Sequence, residues 1–200
     1  MQKTPDFPMP ITTDRLIIRP PIPSDAKALN NAISESVIEL RRYMDWALSG
    51  QTLKESEEYV LLAIHNWIEK KNDEPYLPLF IFDKYTNELI GNAGFHHYNW
   101  AIPSIETGYW IRTSRSGQGF MTEAINAHTQ YAFKQLKVKR ISISCNADNI
   151  QSKKIPERLN YAFEGRLKNH RRRPDTNELG DTLIYAKYDC DNLPPLNVTW

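Results

Sequence analysis

The first place where this chain could do chemistry is a glycine pair, Gly117-Gln118-Gly119. Ahead of it, Tyr109, Trp110 and Ile111 are aromatic or branched residues with strong strand preference. After it, Phe120, Met121, Ala124, Ile125, His128, Tyr131 and Ala132 recur at helical spacing. A strand, a glycine turn and a helix together aim several free backbone N–H groups at one spot, and the first helical turn adds partial positive charge. Such a spot binds a phosphate or pyrophosphate, and glycine lets the anion reach the backbone. No Lys-Ser/Thr pair follows the glycines, and the third glycine of the dinucleotide fingerprint is missing, so both of those loops are excluded. Taken alone, a Gly-x-Gly is equally well a tight connection with no ligand.

Other residues are reactive by type. His96 and His97 are adjacent in a strand-like run, where neighbours face opposite ways, so at most one can look into a cleft and a core or surface role is expected for each. Cys145 and Cys190 make neither a disulfide framework nor a metal pattern. His170-Arg171-Arg172-Arg173 is the one basic run; it reads as a solvated loop before the last strand, or as a contact to RNA or to a cofactor phosphate.

The residues around the glycines carry a family pattern. Glu106-Thr107-Gly108-Tyr109-Trp110, then Gly117-Gln118-Gly119-Phe120-Met121-Thr122-Glu123-Ala124, resembles the acetyl-CoA loop of the GNAT superfamily of N-acetyltransferases. The resemblance is closest to the RimJ/RimL group, which acetylates protein N-termini, notably on ribosomal proteins. Ser116 stands where Gln or Arg is usual, and Met121 where Gly or Ala is usual. Downstream, Asn149, Ser152, Arg158, Glu164 and Gly165 match the second half of the pattern, with Asn160-Tyr161 replacing Gly-Phe. Thr13-Asp-Arg-Leu, a strand and then proline resemble the group's opening. Pro156 departs from the pattern inside an expected helix, where it cannot donate to the Ser152 carbonyl. A kink or an early helix end is expected there, with that carbonyl left for water or another donor.

The resemblance implies a GNAT fold: a mixed, mostly antiparallel sheet with helices on both faces and a splayed central strand pair. Acetyl-CoA (coenzyme A) would lie in the opening. The Trp110–Ile111 backbone would hold the pantetheine arm, which Asn149 would also contact. Ser116 and the amides of Gly117, Gln118, Gly119, Phe120, Met121 and Thr122 would form the pyrophosphate site. Acyl transfer from a thioester to an amine needs a deprotonated amine and a stabilised leaving thiolate, with no covalent enzyme intermediate. The resemblance assigns thiolate protonation to Ser152 and the base role to Glu106, directly or through water. The plainer alternatives are that Ser152 only satisfies a helix turn, and that Glu106 forms a salt bridge or only binds the acceptor's ammonium. Tyr43, Met44 and Trp46 are candidates for the acceptor wall. Cys145 is expected to pack near the cofactor thiol. The leading function is acetyl transfer to a protein N-terminal α-amine by direct attack. The alternatives are a small amine such as an aminoglycoside, polyamine or amino acid, and a non-catalytic acyl-CoA-binding module.

Composition sets the frame. Two hundred residues with 40% hydrophobic and 24% charged content suit one domain with a sizeable core. A net charge of +1 argues against wholesale nucleic-acid binding. The start, MQKTPDFPMP, has no apolar run, and no stretch has the length of a membrane helix. A cytoplasmic monomer or homodimer is expected, with an extended lead-in over residues 1–12, the acetyltransferase domain over 13–188 and a C-terminal arm over 189–200.

The elements that must position the site follow in order. A strand is expected from Thr13 to Pro20, then a helix capped by Ser24. Residues 34–71 read as helical, broken at Ser49-Gly50-Gln51, with Thr52-x-x-Glu55 as a capping box. Strands follow over 77–82 and 88–98, joined by a turn at 84–87, with Gly91 and Gly94 marking a bulge or a close approach. The Glu106 strand, the long helix to Lys137 and a strand over 140–145 complete a crossover, which requires those two strands to be parallel. The last strand is expected over 181–188. Trp200 at the terminus could dock on a partner subunit.

Overall fold

The computed structural model describes residues 5–70 and 76–200. Lys71, the expected end of the second helix, and residues 1–4 of the lead-in lie outside them. The strands are β1 (Ile11–Thr12), β2 (Leu16–Arg19), β3 (Tyr76–Asp83), β4 (Leu89–Asn99), β5 (Ser104–Ile111), β6 (Arg140–Asn146), β7 (Ala162–Arg172) and β8 (Leu179–Lys187). The helices are α1 (Ala26–Leu40), α2 (Leu53–Glu69), α3 (Phe120–Lys134) and α4 (Ile150–Arg158). One sheet runs in the order β1-β2-β3-β4-β5-β6-β8-β7. Every neighbouring pair is antiparallel except β5 and β6, which α3 joins as a crossover.

The sheet forks at its centre. β5 and β6 pair at Ser104↔Arg140, Ile105↔Ile141 and Glu106↔Ser142 and no further. Beyond Glu106 each strand stays with its outer neighbour. β5 follows β4 to Ile111↔Gly91, and β6 follows β8 to Asn146↔Thr182. The splayed pair expected from the family pattern is therefore present, with Glu106 at the last rung.

β3 shows why the sheet needs helices on both sides. Its sequence, YLPLFIFD, is apolar at successive positions, which suits a strand covered on both faces. Phe80 and Phe82 pack with Leu29 and Ile33 of α1 and Val60 of α2. Leu79 and Ile81 join the other cluster, with Ile125 and Tyr131 of α3 and Ile155 of α4. The two-residue period of a strand sends alternate side chains to these two layers.

Several local expectations change. The strand expected from Thr13 begins at Leu16, as β2, because Thr13 turns the chain, its Oγ1 accepting the Leu16 N–H at 2.9 Å, and the short β1 precedes that turn. Ser24 does not cap α1. Asp25 does the local work instead, accepting the Ile22 N–H at 2.8 Å and both Arg19 Nη groups at 2.7 and 2.9 Å. The interruption between α1 and α2 spans residues 41–52, including a 3-10 turn at Asp45–Ala47. The Thr52–Glu55 capping box forms as read, with Thr52 N–H donating to Glu55 at 2.7 Å and Glu55 N–H to Thr52 Oγ1 at 3.2 Å. Trp200 packs on its own chain, edge-on to Tyr131 at 5.4 Å and donating to Gln135 at 3.1 Å.

Gly91 is a true close approach. A Cβ built there would sit 2.3 Å from the Trp110 carbonyl oxygen, so β4 and β5 could not keep their register with a side chain present. Gly91→Ala is expected to cost about 1–3 kcal/mol through overpacking. A urea melt checks this as a lowered midpoint at unchanged slope.

Candidate active site

Two adjoining hollows open along the fork. The first, of 500 Å³, is lined by Trp110, Ile111, Ser116, Gly117, Gly119, Met121, Thr122 and Asn149, and by Arg42 and Arg158. The second, of 250 Å³, is lined by Tyr43, Met44, Trp46, His96, His97, Glu106, Cys145 and Arg171. Both include Tyr43, Met44, Tyr109, Trp110, Asn149 and Ser152, which form the wall between them. A broader hollow of 1230 Å³ lies between α4 and the β7–β8 hairpin and contains none of the residues predicted to act.

The first hollow is built to take an anion. Gly117 and Gly119 have φ of 74° and 81°, left-handed values that suit glycine. Among the described residues, the N–H groups of Gly117 to Thr122 donate to no protein acceptor. The loop is held from both flanks. On one, Arg112 pairs with Glu35 at 2.6 Å and Glu88 at 2.7 Å, and the Ser114 N–H donates to Glu35 at 2.8 Å. On the other, Arg15 pairs with Glu123 of α3 at 2.6 Å, donates to the Gln118 carbonyl at 3.2 Å and lies over the Phe120 ring at 4.4 Å. Phe120 is thus a buried anchor, and the Gln118 side chain is engaged with the Ser114 carbonyl at 3.0 Å. Only the main chain of these two residues is free to face a ligand. Neither Arg42 nor Arg158 pairs with a carboxylate among the described residues, and of the two carboxylates that also line the hollow, Glu39 and Asp148, the second is held by Arg173.

The wall between the hollows holds two hydroxyls. The Tyr109 OH donates to the Ser152 carbonyl at 2.9 Å, and Ser152 Oγ lies 3.4 Å from the same phenol oxygen. Pro156 had left that carbonyl without its helical donor, and Tyr109 is the donor that takes it. α4 runs on to Arg158, so the expected early end does not occur. Asn149 caps the helix, its Oδ1 accepting the Ser152 N–H at 3.1 Å. That cap uses the main chain of Ser152, and its hydroxyl donates to the Tyr109 phenol oxygen at 3.4 Å. Burial raises the Tyr109 phenol pKa, so it stays a donor. Cys145 is buried beside Ser152, and burial pushes its thiol up to about 11, which keeps it protonated at neutral pH.

In the second hollow, Glu106 is half-buried and makes no ion pair among the described residues. His96 lies directly across from it on β4 and stacks on Tyr76 at 4.2 Å. Burial, then the neighbouring His97, lowers the His96 pKa to about 4, so its imidazole is neutral near pH 7. Both histidines line the hollow, contrary to simple strand alternation. A register shift between His96 and Asn99 puts His97 at φ 46°, and that bulge turns its side chain to the same side. Tyr43, Met44 and Trp46 sit in the hollow's wall, with Trp46 6.0 Å from Trp110. The basic run is not a free loop. Residues 170–172 end β7, Arg171 reaches the hollow, and Arg173 pairs with Asp148 and Asp175 at 3.1 Å each.

Residues 15–162 match the Acetyltransferase (GNAT) domain. The chain belongs to the GNAT acetyltransferase family. It is an acetyl-CoA-dependent N-acetyltransferase. The ribosomal-protein-serine acetyltransferase of Escherichia coli (strain K12) is 32% identical over 93 residues, which span 46% of this chain and 51% of that protein. The microcin C7 self-immunity acetyltransferase MccE, solved with acetyl-CoA and AMP, superposes with a TM-score of 0.76 at 27% identity, covering 88% of this chain and 93% of its own. RimL, a ribosomal L7/L12 α-N-protein acetyltransferase solved with coenzyme A, shares the fold with a TM-score of 0.77 at 23% identity over 90% of this chain and 97% of its own. Among the described residues, no helix is long and apolar enough to cross a membrane.

The first hollow fits this GNAT cofactor. Acetyl-CoA supplies an activated acetyl thioester and an anionic pyrophosphate. The free amides of Gly117 to Thr122, with Arg42 and Arg158, are the groups suited to the pyrophosphate. Arg42 and the Arg15 clamp escaped sequence reasoning. The signal for Arg15 was its place in the opening Thr-Asp-Arg-Leu, which says nothing about the loop about a hundred residues on that it grips. Arg15→Ala is expected to weaken coenzyme A binding about 10-fold while circular dichroism stays native, as calorimetry would show.

The histidines also set a pH dependence. His96 and His128 each have a folded pKa of about 4, lowered by burial from 6.5. The unfolded chain therefore binds more protons between those values, and stability is lost as pH falls from about 6.5 to about 4. Urea midpoints measured across that window are expected to fall, and His96→Gln is expected to flatten the slope.

Proposed function

We propose that this enzyme acetylates the α-amine of a protein N-terminus by direct attack on the thioester. Glu106 takes the proton from the amine, directly or through water, and Ser152 donates to the leaving sulfur. The observation that carries this reading is the division of labour at the fork. Ser152 stands in the wall shared by the two hollows, its carbonyl tied down by Tyr109, and an unpaired Glu106 waits on the acceptor side. Tyr109 acts as a positioning residue, fixing the first turn of α4 and so the serine hydroxyl. In this reading Trp110 and Ile111 flank the pantetheine, Ser116 and the Gly117–Thr122 main chain hold the pyrophosphate, and Asn149 offers its Nδ2. Residues 13–188 would be the catalytic domain, flanked by the lead-in and the arm. The reducing cytoplasm suits its free cysteines, Cys145 and Cys190.

Similarity to the ribosomal-protein-serine acetyltransferase and to RimL supports a protein N-terminus as acceptor. The charges in the acceptor hollow also support it over a polycation. Glu106 is the one carboxylate among its lining residues, whereas an aminoglycoside or polyamine needs a ring of them.

Thiol release from acetyl-CoA with N-terminal peptides tests the reading. Ser152→Ala and Glu106→Gln are each expected to lower kcat about 100-fold, in the range of a lost proton-transfer group. Unchanged turnover in Ser152→Ala would contradict the assigned role. Coenzyme A binding without turnover on any amine would favour a non-catalytic binding module.

A further inference from the structure

We infer that the acceptor hollow selects N-terminal segments carrying an acidic side chain within their first three residues, held by Arg171. This rests on reading that hollow as the acceptor site.

Arg171 lies near the end of β7, opposite Gly180, and its side chain reaches back into the hollow. Its Nε donates to Thr182 Oγ1 at 2.9 Å, which fixes the guanidinium and leaves its two Nη groups to the hollow. No carboxylate pairs with it among the described residues. Carboxylates are near but committed elsewhere: Asp181 to Arg166 at 2.5 Å, and Asp148 and Asp175 to Arg173 at 3.1 Å each. A half-buried, fixed and unpaired guanidinium is a ready partner for a planar oxyanion, which it can bind through two parallel bonds.

The hollow's wall is polar as well as charged. Asn92 Nδ2, Thr107 Oγ1 and Asn146 Oδ1 are buried there without a partner among the described residues, and buried polar groups of this kind take an ordered water or another polar group.

Glu106 and Arg171 line one hollow of 250 Å³, so the amine and the anion they engage belong to one acceptor molecule. An extended peptide advances about 3.3–3.6 Å per residue, which keeps an acidic side chain in its first three residues within reach of Arg171. His96, His97, Tyr43, Tyr76, Tyr109 and Cys145 are the other titratable side chains lining the hollow, and His96 is neutral near pH 7.

The test compares peptides with a free N-terminus that differ only by Asp or Glu, Asn or Gln, or Lys at positions one to three. Wild-type enzyme is expected to show a KM about 10-fold lower for the best acidic peptide than for its amide twin, with kcat less affected. Arg171→Gln is expected to abolish that difference, and Arg171→Glu to favour the lysine peptide. Coenzyme A titration of each variant checks that it is folded. Wild-type indifference to the acidic side chain, discrimination that survives in Arg171→Gln, or free aspartate outrunning every peptide would overturn the proposal. Calorimetry of peptide binding to the coenzyme A-loaded protein separates the two readings. Arg171-dependent binding without turnover keeps the subsite and removes the N-terminal acetylation reading, and the absence of both removes the subsite as well.

Discussion

The rest of the molecule depends on two strands that begin a ladder and abandon it. β5 and β6 share three rungs and then part after Glu106 and Ser142. A strand edge inside a sheet exposes N–H and C=O groups that need partners, so an unclosed fork is a costly arrangement unless a ligand completes it. The fold accommodates it by bracing each arm from outside. β4 holds β5 as far as Ile111, at a contact so close that Gly91 leaves no room for a side chain, and β8 holds β6 as far as Asn146. The opening is therefore a rigid slot, and everything reactive in this GNAT enzyme is arranged along it.

The two ends of the slot are tuned by different means. At the glycine-loop end, positive φ at Gly117 and Gly119 frees a run of amides, and charged clamps from Arg15, just ahead of β2, and from Glu35 of α1 hold the loop from its two flanks. At the chemical end, a proline inside α4 releases one carbonyl and a tyrosine from the opposite arm of the fork takes it. The bond from Tyr109 to Ser152 ties β5 to α4 across the opening. It links the geometry of the fork to the position of the hydroxyl assigned to the leaving sulfur.

The sequence carried the parts of this that are local. The strand–glycine–helix switch around Gly117, the Thr52–Glu55 capping box and the freed Ser152 carbonyl were all legible, because each depends on residues within one or two turns. The mixed sheet followed from the crossover helix. What was hidden depends on contacts distant in the chain. Arg15 grips a loop about a hundred residues away, and Tyr109 meets Ser152 from another element. The bulge at His97 defeated an argument that assumed regular alternation. Arg171 looked like one charge in a solvated run because β7's length, and the pairing of its neighbours Arg166 and Arg173, exist only in the folded sheet.

Amide NMR during a coenzyme A titration tests most directly whether the fork and its glycine loop are the cofactor slot. The largest shifts are expected on the amides of Gly117 to Thr122, followed by those of residues 107–111 on the open arm of β5. Shifts concentrated instead in the hollow between α4 and the β7–β8 hairpin, with the glycine loop unmoved, would contradict it.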